Sequence, residues 1–455
     1  MSCKITSVAL ASVLGLSAIC AQAGTSFDFK PKTACFALPR EIVTLDGEWE
    51  CRQLRRKNAA WERHVTPFVF PLSSKESRFA QEYRRSFTLP GLDGRRAILH
   101  AECIPSRTRV VVNGEAVFVH EPGADPFDVD VTAWARPGTN GIFLAVSAPG
   151  KQECREKGLL PVASFLRGQY QGYSRPVYVE LRPVVSVEDV TVRTVVTPQK
   201  RLTATVVVTN ASDVAHAVAL RGAIGDFRFQ EVPLSVPARG TATATLVRDW
   251  PDAALWNPET PNLHVLNLSL VEGGAVVDAF RERFGFREIR IEGDRLLLNG
   301  SPMMLRRGPR IYGLRSDDGI RAFMRRHKAR GVNGLRTGPI DFANMAHIAD
   351  EEGFFLVLLP PTGGKARVLG TNDVAWANAA AFQRRMYRFY KNHPSILCWG
   401  ISNEFGSVYG LRPTGDNEDL VRRQQALGAQ MAELDPTRPW TAYGDIEVGW
   451  PIKGP

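Results

Sequence analysis

Cysteine is scarce in this chain, 7 residues in 455, and no Cys/His spacing resembles a zinc site. Cys3 and Cys20 lie in the amino-terminal segment. Cys35, Cys51, Cys103 and Cys154 fall in the first third, where an oxidising compartment would permit one or two disulfides, with a pairing that spacing leaves open. Cys398 sits inside an apolar run and reads as a small core residue. Long apolar stretches are also lacking. Val8 to Ile19 is too short for a comfortable membrane span, and no later stretch looks transmembrane. With Lys4 before it and Ala21-Gln22-Ala23 after it, the run reads as a secretory signal over residues 1–23, with Gly24 as the mature start. Ser17-Ala18-Ile19 before Cys20 fits a lipobox poorly, so simple export to a secreted or periplasmic location is expected, with no membrane attachment after cleavage.

Acidic charge is in deficit: 57 Lys and Arg against 47 Asp and Glu give a net charge of +10. That balance suits anionic partners, including acidic polysaccharides. The basic residues are scattered, however, and Arg325-Arg326-His327-Lys328 lies on a helix whose other face is apolar, which reads as a solvated face. Nucleic-acid binding would rest on net charge alone, and the export signal argues against it.

At 455 residues the chain should hold about three domains. From 24 to 183 the pattern is short strands and turns, with Asn113-Gly114 between two apolar runs as the strongest hairpin signal. Trp49, Phe127 and Tyr178 read as core of a β-sandwich rather than sugar platforms. From 184 to 285 a period of two recurs: Leu202, Ala204, Val206 and Val208 in one strand, Leu266, Leu268 and Leu270 in another, with Gly273-Gly274 as a tight turn. This spacing fits an immunoglobulin-like sandwich.

From 286 to 455 strands alternate with helices. Ile320, Phe323, Met324 and His327 fall at helical spacing, as do Phe342, Met345, Ala346 and Ala349. Phe382, Met386, Phe389 and Tyr390 make a third stripe; Leu420, Leu427, Met431 and Leu434 make a fourth. Apolar strands are expected at Val332 to Arg336, Phe354 to Leu359, Ile396 to Ser402 and Trp440 to Tyr443. Alternation of this kind implies parallel strands with right-handed crossovers.

The organising stretch is Asn392-His393-Pro394-Ser395 followed by Ile396 to Ile401, then Ser402, Asn403 and Glu404. Pro394 bars helix continuation and biases His393 toward an extended conformation. The apolar run fits a strand covered on both faces, and an amide and a carboxyl stand at its end. A carboxyl beside apolar groups at such a strand end could have a raised pKa and donate a proton.

Asn-His-Pro-Ser-Ile, a short strand with Trp399, and Asn403-Glu404 together resemble the acid/base motif of glycoside hydrolase family 2, the β-galactosidases, β-glucuronidases and β-mannosidases. Leu45-Asp46-Gly47-Glu48-Trp49, Tyr83-Arg84-Arg85-Ser86-Phe87, Val112-Asn113-Gly114 and Arg175-Pro176-Val177-Tyr178 resemble the family's amino-terminal jelly roll. Leu255 to Leu263 and Arg283 to Arg287 resemble the end of its second domain. The resemblance implies a jelly-roll β-sandwich, an immunoglobulin-like β-sandwich and a (β/α)8 TIM barrel, here incomplete, with about five strands. It makes Glu404 the acid/base, Asn403 the partner of the sugar 2-hydroxyl, and Arg336 the residue that orients the nucleophilic carboxylate.

Two places depart from the pattern. Gly338-Pro339-Ile340 stands where the family has a His-containing turn, and Arg307 to Ile311 lies where many members carry a His. The nucleophile is unknown: the family places it on a later strand than this chain contains. Glu418 and Glu433 read as solvated helix surface, and Glu447 matches no nucleophile motif. The expected function is retaining hydrolysis of terminal β-glycosidic bonds, with a carbohydrate-binding remnant as the alternative. No cofactor or metal is implied, and self-association is left open.

Overall fold

The computed structural model describes residues 25–26, 39–54, 59–69, 80–123, 125–147, 151–160, 175–309, 316–358, 372–403 and 418–443.

The first of these regions folds as two antiparallel sheets. The larger runs in the order Glu62–Thr66, Gly47–Gln53, Gln81–Leu89, Gly138–Ser147, Arg107–Val112, Glu115–His120; the smaller runs Phe127–Asp130, Arg96–Ala101, Val177–Arg182, Glu41–Thr44. Asn113 and Gly114 have φ of 51° and 91°, the paired positive values that match a two-residue turn to strand twist. Trp49 and Phe127 lie in the core between the sheets. Tyr178 is equally buried but faces away from that core, stacked on His100, whose ring edge meets Phe389 of a later helix.

The second sandwich pairs Val185–Val195, Arg201–Asn210 and Thr241–Asp249 against a sheet built on His216–Ile224, His264–Glu272 and Ala275–Phe284. Leu202, Ala204, Val206 and Val208 fill its core together with Leu266, Leu268 and Leu270, so the period of two marks the inner face on both sheets. Arg40 joins the two sandwiches through Asp278 and Glu180, all three buried.

A four-stranded parallel sheet follows, in sequence order: Gly334–Thr337, Phe355–Leu358, Ile396–Asn403 and Trp440–Tyr443. A parallel bridge between Arg307 and Gly334 adds a fifth segment at its edge. The helices Asp317–Lys328, Pro339–Glu352, Asp373–Tyr390 and Glu418–Leu434 cover one face. Ile320, Met324, Met345, Ala349, Phe382, Met386, Leu427 and Met431 pack there on Leu335, Leu356, Trp399 and Ile401. The opposite face carries Phe355, Val357, Leu397 and Cys398. Among the described residues the sheet is an arc and does not close.

Two of these helix starts have a side-chain cap. Ser316 caps the first by accepting from Gly319 N at 3.1 Å, and Asn372 caps the third by accepting from Val374 N at 3.0 Å. The second helix ends on Gly353, at φ 64°, where an added Cβ would stand 2.3 Å from Pro258 O of the preceding loop. Gly353→Ala therefore meets both a left-handed backbone, costing about 1–2 kcal/mol, and a backbone clash. A loss of more than about 2 kcal/mol in urea unfolding is expected, and a change under 0.5 kcal/mol would contradict this account.

Two expectations are corrected. Cys51 and Cys398 are free and buried, so neither is in a disulfide; Cys103 and Cys154 are buried too, and Cys35 lies outside the described residues. These thiols pack as small apolar groups, and burial pushes Cys51 and Cys398 up to about 12. The basic cluster is not wholly solvated. Arg325 Nε donates to Glu352 Oε2 at 2.8 Å and Lys328 Nζ to Glu352 O at 2.6 Å, tying the first helix to the end of the second.

Candidate active site

The strand Ile396–Asn403 lies between two parallel neighbours, with Trp399 opposite Leu358 on one side and Trp440 on the other. Ile396 through Ser402 contains no half-exposed residue, as the continuous apolar run requires. A register shift between Gly400 and Ser402 resets the side-chain alternation just before Asn403, the last strand residue, which pairs with Tyr443. Gln424 of the following helix donates to the Ser402 hydroxyl, so the carboxyl end of the strand is fixed by a buried bond one residue ahead of Asn403. Glu404 lies outside the described residues, as do Arg310, Ile311 and Glu447.

Arg336 is the third residue of Gly334–Thr337 and stands in register with Val357, which in turn pairs with Cys398. Leu335 packs toward the helices, so strand alternation directs Arg336 to the opposite face, the one Val357 and Cys398 share. It is half-buried there. This puts a charged group on the inner face of a parallel arc, one residue from the carboxyl end of its strand. Trp399 is 1% exposed and its Nε1 donates to Asp435 Oδ2 at 2.8 Å, so it is packing and not a platform. Glu418 and Glu433 are exposed on their helix.

The other end of the same strand does different work. Asn392 Nδ2 donates to Val190 O at 2.7 Å and its Oδ1 accepts from Val192 N at 2.8 Å, the pairing of one peptide group with another. His393 Nδ1 bonds Asp350 Oδ2 at 2.6 Å, and Ser395 N donates to Asp350 Oδ1 at 3.1 Å. Burial pushes the Asp350 carboxyl up, but His393 and Arg283 hold it below the usual range. Arg287 and Arg438 reach the carbonyls of Pro394 and Ile396. At about 3.3 Å per residue the strand Ile396–Asn403 is about 23 Å long, and His393 precedes its first residue. It belongs to a seam between the second sandwich and the parallel layer, not to the mouth.

The seam also holds the one metal-compatible group among the described residues. The ligating atoms of His347, Asp350 and His393 lie within 4.8 Å of one another. The Arg283 guanidinium donates to His347 Nδ1 and stands 3.5 Å from Asp350 Oδ2, so a cation already serves this cluster. Sequence spacing did not single it out, because His347 and Asp350 share the helix Pro339–Glu352 while His393 stands 43 positions after Asp350.

Glu282, on the sandwich side of this seam, is pushed up to about 7 by burial, against the pull of Asn392 and Lys391. A carboxyl raised from about 4.5 contributes fully below pH 4.5, and that contribution falls between pH 4.5 and 7. Glu282→Gln is expected to leave stability near pH 4.5 unchanged and to raise it by up to about 3 kcal/mol at pH 8, read from denaturant midpoints at the two pH values. An equal effect at both would rule out the titration.

Two antiparallel sandwiches lead into a parallel strand-helix layer, a multidomain architecture of β-sandwiches followed by an α/β layer. The family described as Glycosyl hydrolases family 2 matches residues 185–287, the second sandwich. The chain is 23% identical to a β-glucuronidase of Paenibacillus borealis, over 91% of this chain and 74% of that one. It is 27% identical to a β-galactosidase of Arthrobacter sp. (strain B7), over 72% of this chain and 32% of that one. A solved β-galacturonidase from Eisenbergiella tayi shares the fold at a TM-score of 0.75 and 20% identity, covering 90% of this chain and 72% of that one. The β-glucuronidase of Bacteroides uniformis does so at a TM-score of 0.74 and 21% identity, covering 89% and 52%. The chain thus spans between a third and three quarters of the length of these relatives. Most of the chain is thus similar to β-glycosidases, and its second sandwich matches the model of glycosyl hydrolase family 2.

Proposed function

We propose that the protein hydrolyses terminal β-glycosidic bonds by the retaining two-carboxylate route. The observation that carries this reading is the rigid parallel strand whose last residue, Asn403, immediately precedes Glu404, with Arg336 on the inner face two strands away. The names of the relatives, β-glucuronidase, β-galactosidase and β-galacturonidase, support it. On this reading the parallel layer is part of a (β/α)8 barrel whose carboxyl-end mouth takes the sugar, and export delivers the enzyme to glycans outside the cytoplasm.

Glu404 gives its proton to the glycosidic oxygen as the anomeric C–O bond breaks. A second carboxylate, about 5–5.5 Å away, attacks the anomeric carbon. Glu404, now a base, takes a proton from the water that releases the sugar. Asn403 bonds the 2-hydroxyl, and Arg336 orients the attacking carboxylate. No residue of this sequence is assigned as that nucleophile.

The test is release of phenol, a weakly acidic leaving group, from its β-glucuronide, β-galactoside and β-galacturonide. Turnover of one glycoside, abolished in Glu404→Gln, supports the hydrolase. Binding of the same glycosides without turnover supports a second reading, a carbohydrate-binding relative, which the replacement of the His-containing turn by Gly338-Pro339-Ile340 favours.

A further inference from the structure

The sheet Val185–Val195, Arg201–Asn210, Thr241–Asp249 ends on the last of these strands, which has one paired side and one open side. Its ladder with Arg201–Asn210 is antiparallel and has no register shift. Backbone bonds at the two ends fix the phase of that ladder: Trp250 N donates to Lys200 O at 2.8 Å, and Asn210 N to Gly240 O at 2.9 Å. In an antiparallel pair, positions bonded to the neighbouring strand alternate with positions whose groups point the other way. Ala242, Ala244, Leu246 and Arg248 therefore bond Arg201–Asn210, while Thr241, Thr243, Thr245, Val247 and Asp249 turn their N–H and C=O groups outward. All of the outward residues are exposed, and among the described residues nothing else bonds their backbone. The preceding strand Val232–Val236 pairs with His216–Ile224 of the opposite sheet and leaves this edge open.

Native sheets spoil or cover such edges with charge, proline, a bulge or another element. Among the described residues, the other edge strands of five residues or more each have such a device. Glu62–Thr66 is charged, and Val232–Val236 holds Pro233. Glu115–His120 and Ala275–Phe284 run beside register shifts. Val185–Val195 has a register shift, and Asn392 covers its groups at Val190 and Val192. Thr241 to Val247 has no charge, proline or bulge, and its Thr and Val residues favour extended backbone.

The open side is complementary to itself. A two-fold axis at Thr245 sets Thr245 against Thr245, Thr243 against Val247 and Thr241 against Asp249 of a second chain running antiparallel. Every outward N–H then meets an outward carbonyl, because only outward positions face one another. No like charges are opposed. Arg248 faces Ala242, and Asp249, already held by Arg201 Nε at 2.6 Å, faces Thr241. Thr opposite Thr is one of the side-chain pairs that stabilise a sheet. We propose that Thr241–Asp249 is a self-association edge, through which two copies of this chain pair antiparallel about Thr245 and join their three-stranded sheets into one. A nine-residue edge is narrower than a standard interface, so the dimer is weak, with a Kd of about 1–100 μM. The inference stands apart from the hydrolase reading and does not depend on Glu404.

Sedimentation velocity of the whole protein from about 1 to 200 μM, at about 0.15 M salt, tests it. The mean mass of wild type should rise toward twice that of the monomer. Thr245→Lys and Thr245→Glu each place like charges across the axis and should weaken association at least about 10-fold. An equimolar mixture of the two variants should return to within about 3-fold of the wild-type Kd, because opposite charges then meet. Residue-resolved hydrogen exchange gives a second readout. On concentrating the wild type, the amides of Thr241, Thr243, Thr245, Val247 and Asp249 should slow, and those of Ala242, Ala244, Leu246 and Arg248 should not change. If either charged variant fails to fold, this alternation decides. A wild type that stays monomeric at every concentration overturns the proposal and leaves the edge to an extended peptide of another protein. A dimer untouched by both substitutions, a mixture that does not recover, or protection without the alternation overturns it as well.

Discussion

Glu404→Gln is expected to lower kcat by about 10²–10⁴-fold on aryl β-glycosides with poor leaving groups, and by far less on those with activated phenols. The split follows from what the proton does. A strongly acidic phenol leaves as its anion without help, whereas a weakly acidic one must be protonated as the C–O bond breaks. Gln keeps the size and a hydrogen-bond donor but has no proton to give. The alkaline limb of the kcat/KM profile, which reports ionisation of the acid in the free enzyme, should disappear in the variant. A uniform loss across leaving groups with the limb intact would mean that Glu404 only binds substrate. Arg336→Lys provides a contrast: a residue that orients the second carboxylate should slow all leaving groups alike.

The largest stability effect lies elsewhere, at the junction of the two sandwiches. Arg40 Nε and Nη2 donate to the two oxygens of Asp278, each at 2.8 Å, while Nη1 donates to Glu180 at 2.7 Å and Nη2 also to Val187 O at 2.6 Å. Asp278 accepts in addition from Val187 N at 2.7 Å. Arg40→Met leaves the Asp278 carboxylate, 0% exposed, without its cation, while Glu180 keeps Arg182, and should cost about 3–5 kcal/mol. Arg40→Met with Asp278→Leu should recover a large part of that loss, since no orphaned charge remains on Asp278. Recovery should stay incomplete, because Val187 keeps an unpaired N–H and carbonyl worth about 1–3 kcal/mol. Equilibrium unfolding of the two single variants and the double variant gives the coupling directly. A single-variant loss below 1 kcal/mol would show that water replaces the guanidinium.

Local pattern carried most of the architecture. The alternation at Leu202 to Val208 and the helical stripe through Phe382 and Met386 survive in the structure because burial on one face dictates them. The strand before Glu404 was legible for the same reason, since a continuous apolar run requires cover on both sides. Contacts distant in sequence were not legible. Nothing near Arg40 announces Asp278, 238 positions away, and nothing near His393 announces Asp350 or Arg283. The motif also conceals a division of labour. Asn392 and His393 read as part of a catalytic signature, yet their side chains are spent on backbone groups and carboxylates of the seam.

Asn392 imposes a constraint on recombination. Because its amide completes hydrogen bonds that the strand Val185–Val195 would otherwise leave open, any chimera that grafts a foreign sandwich upstream must present a free carbonyl and a free N–H at the heights of Val190 and Val192. A graft out of phase by one position would offer the wrong groups and tilt the chain as it enters the strand that precedes Glu404. Interchange of modules in such proteins is thus governed by hydrogen-bond register at this turn more than by the length of the connecting loop.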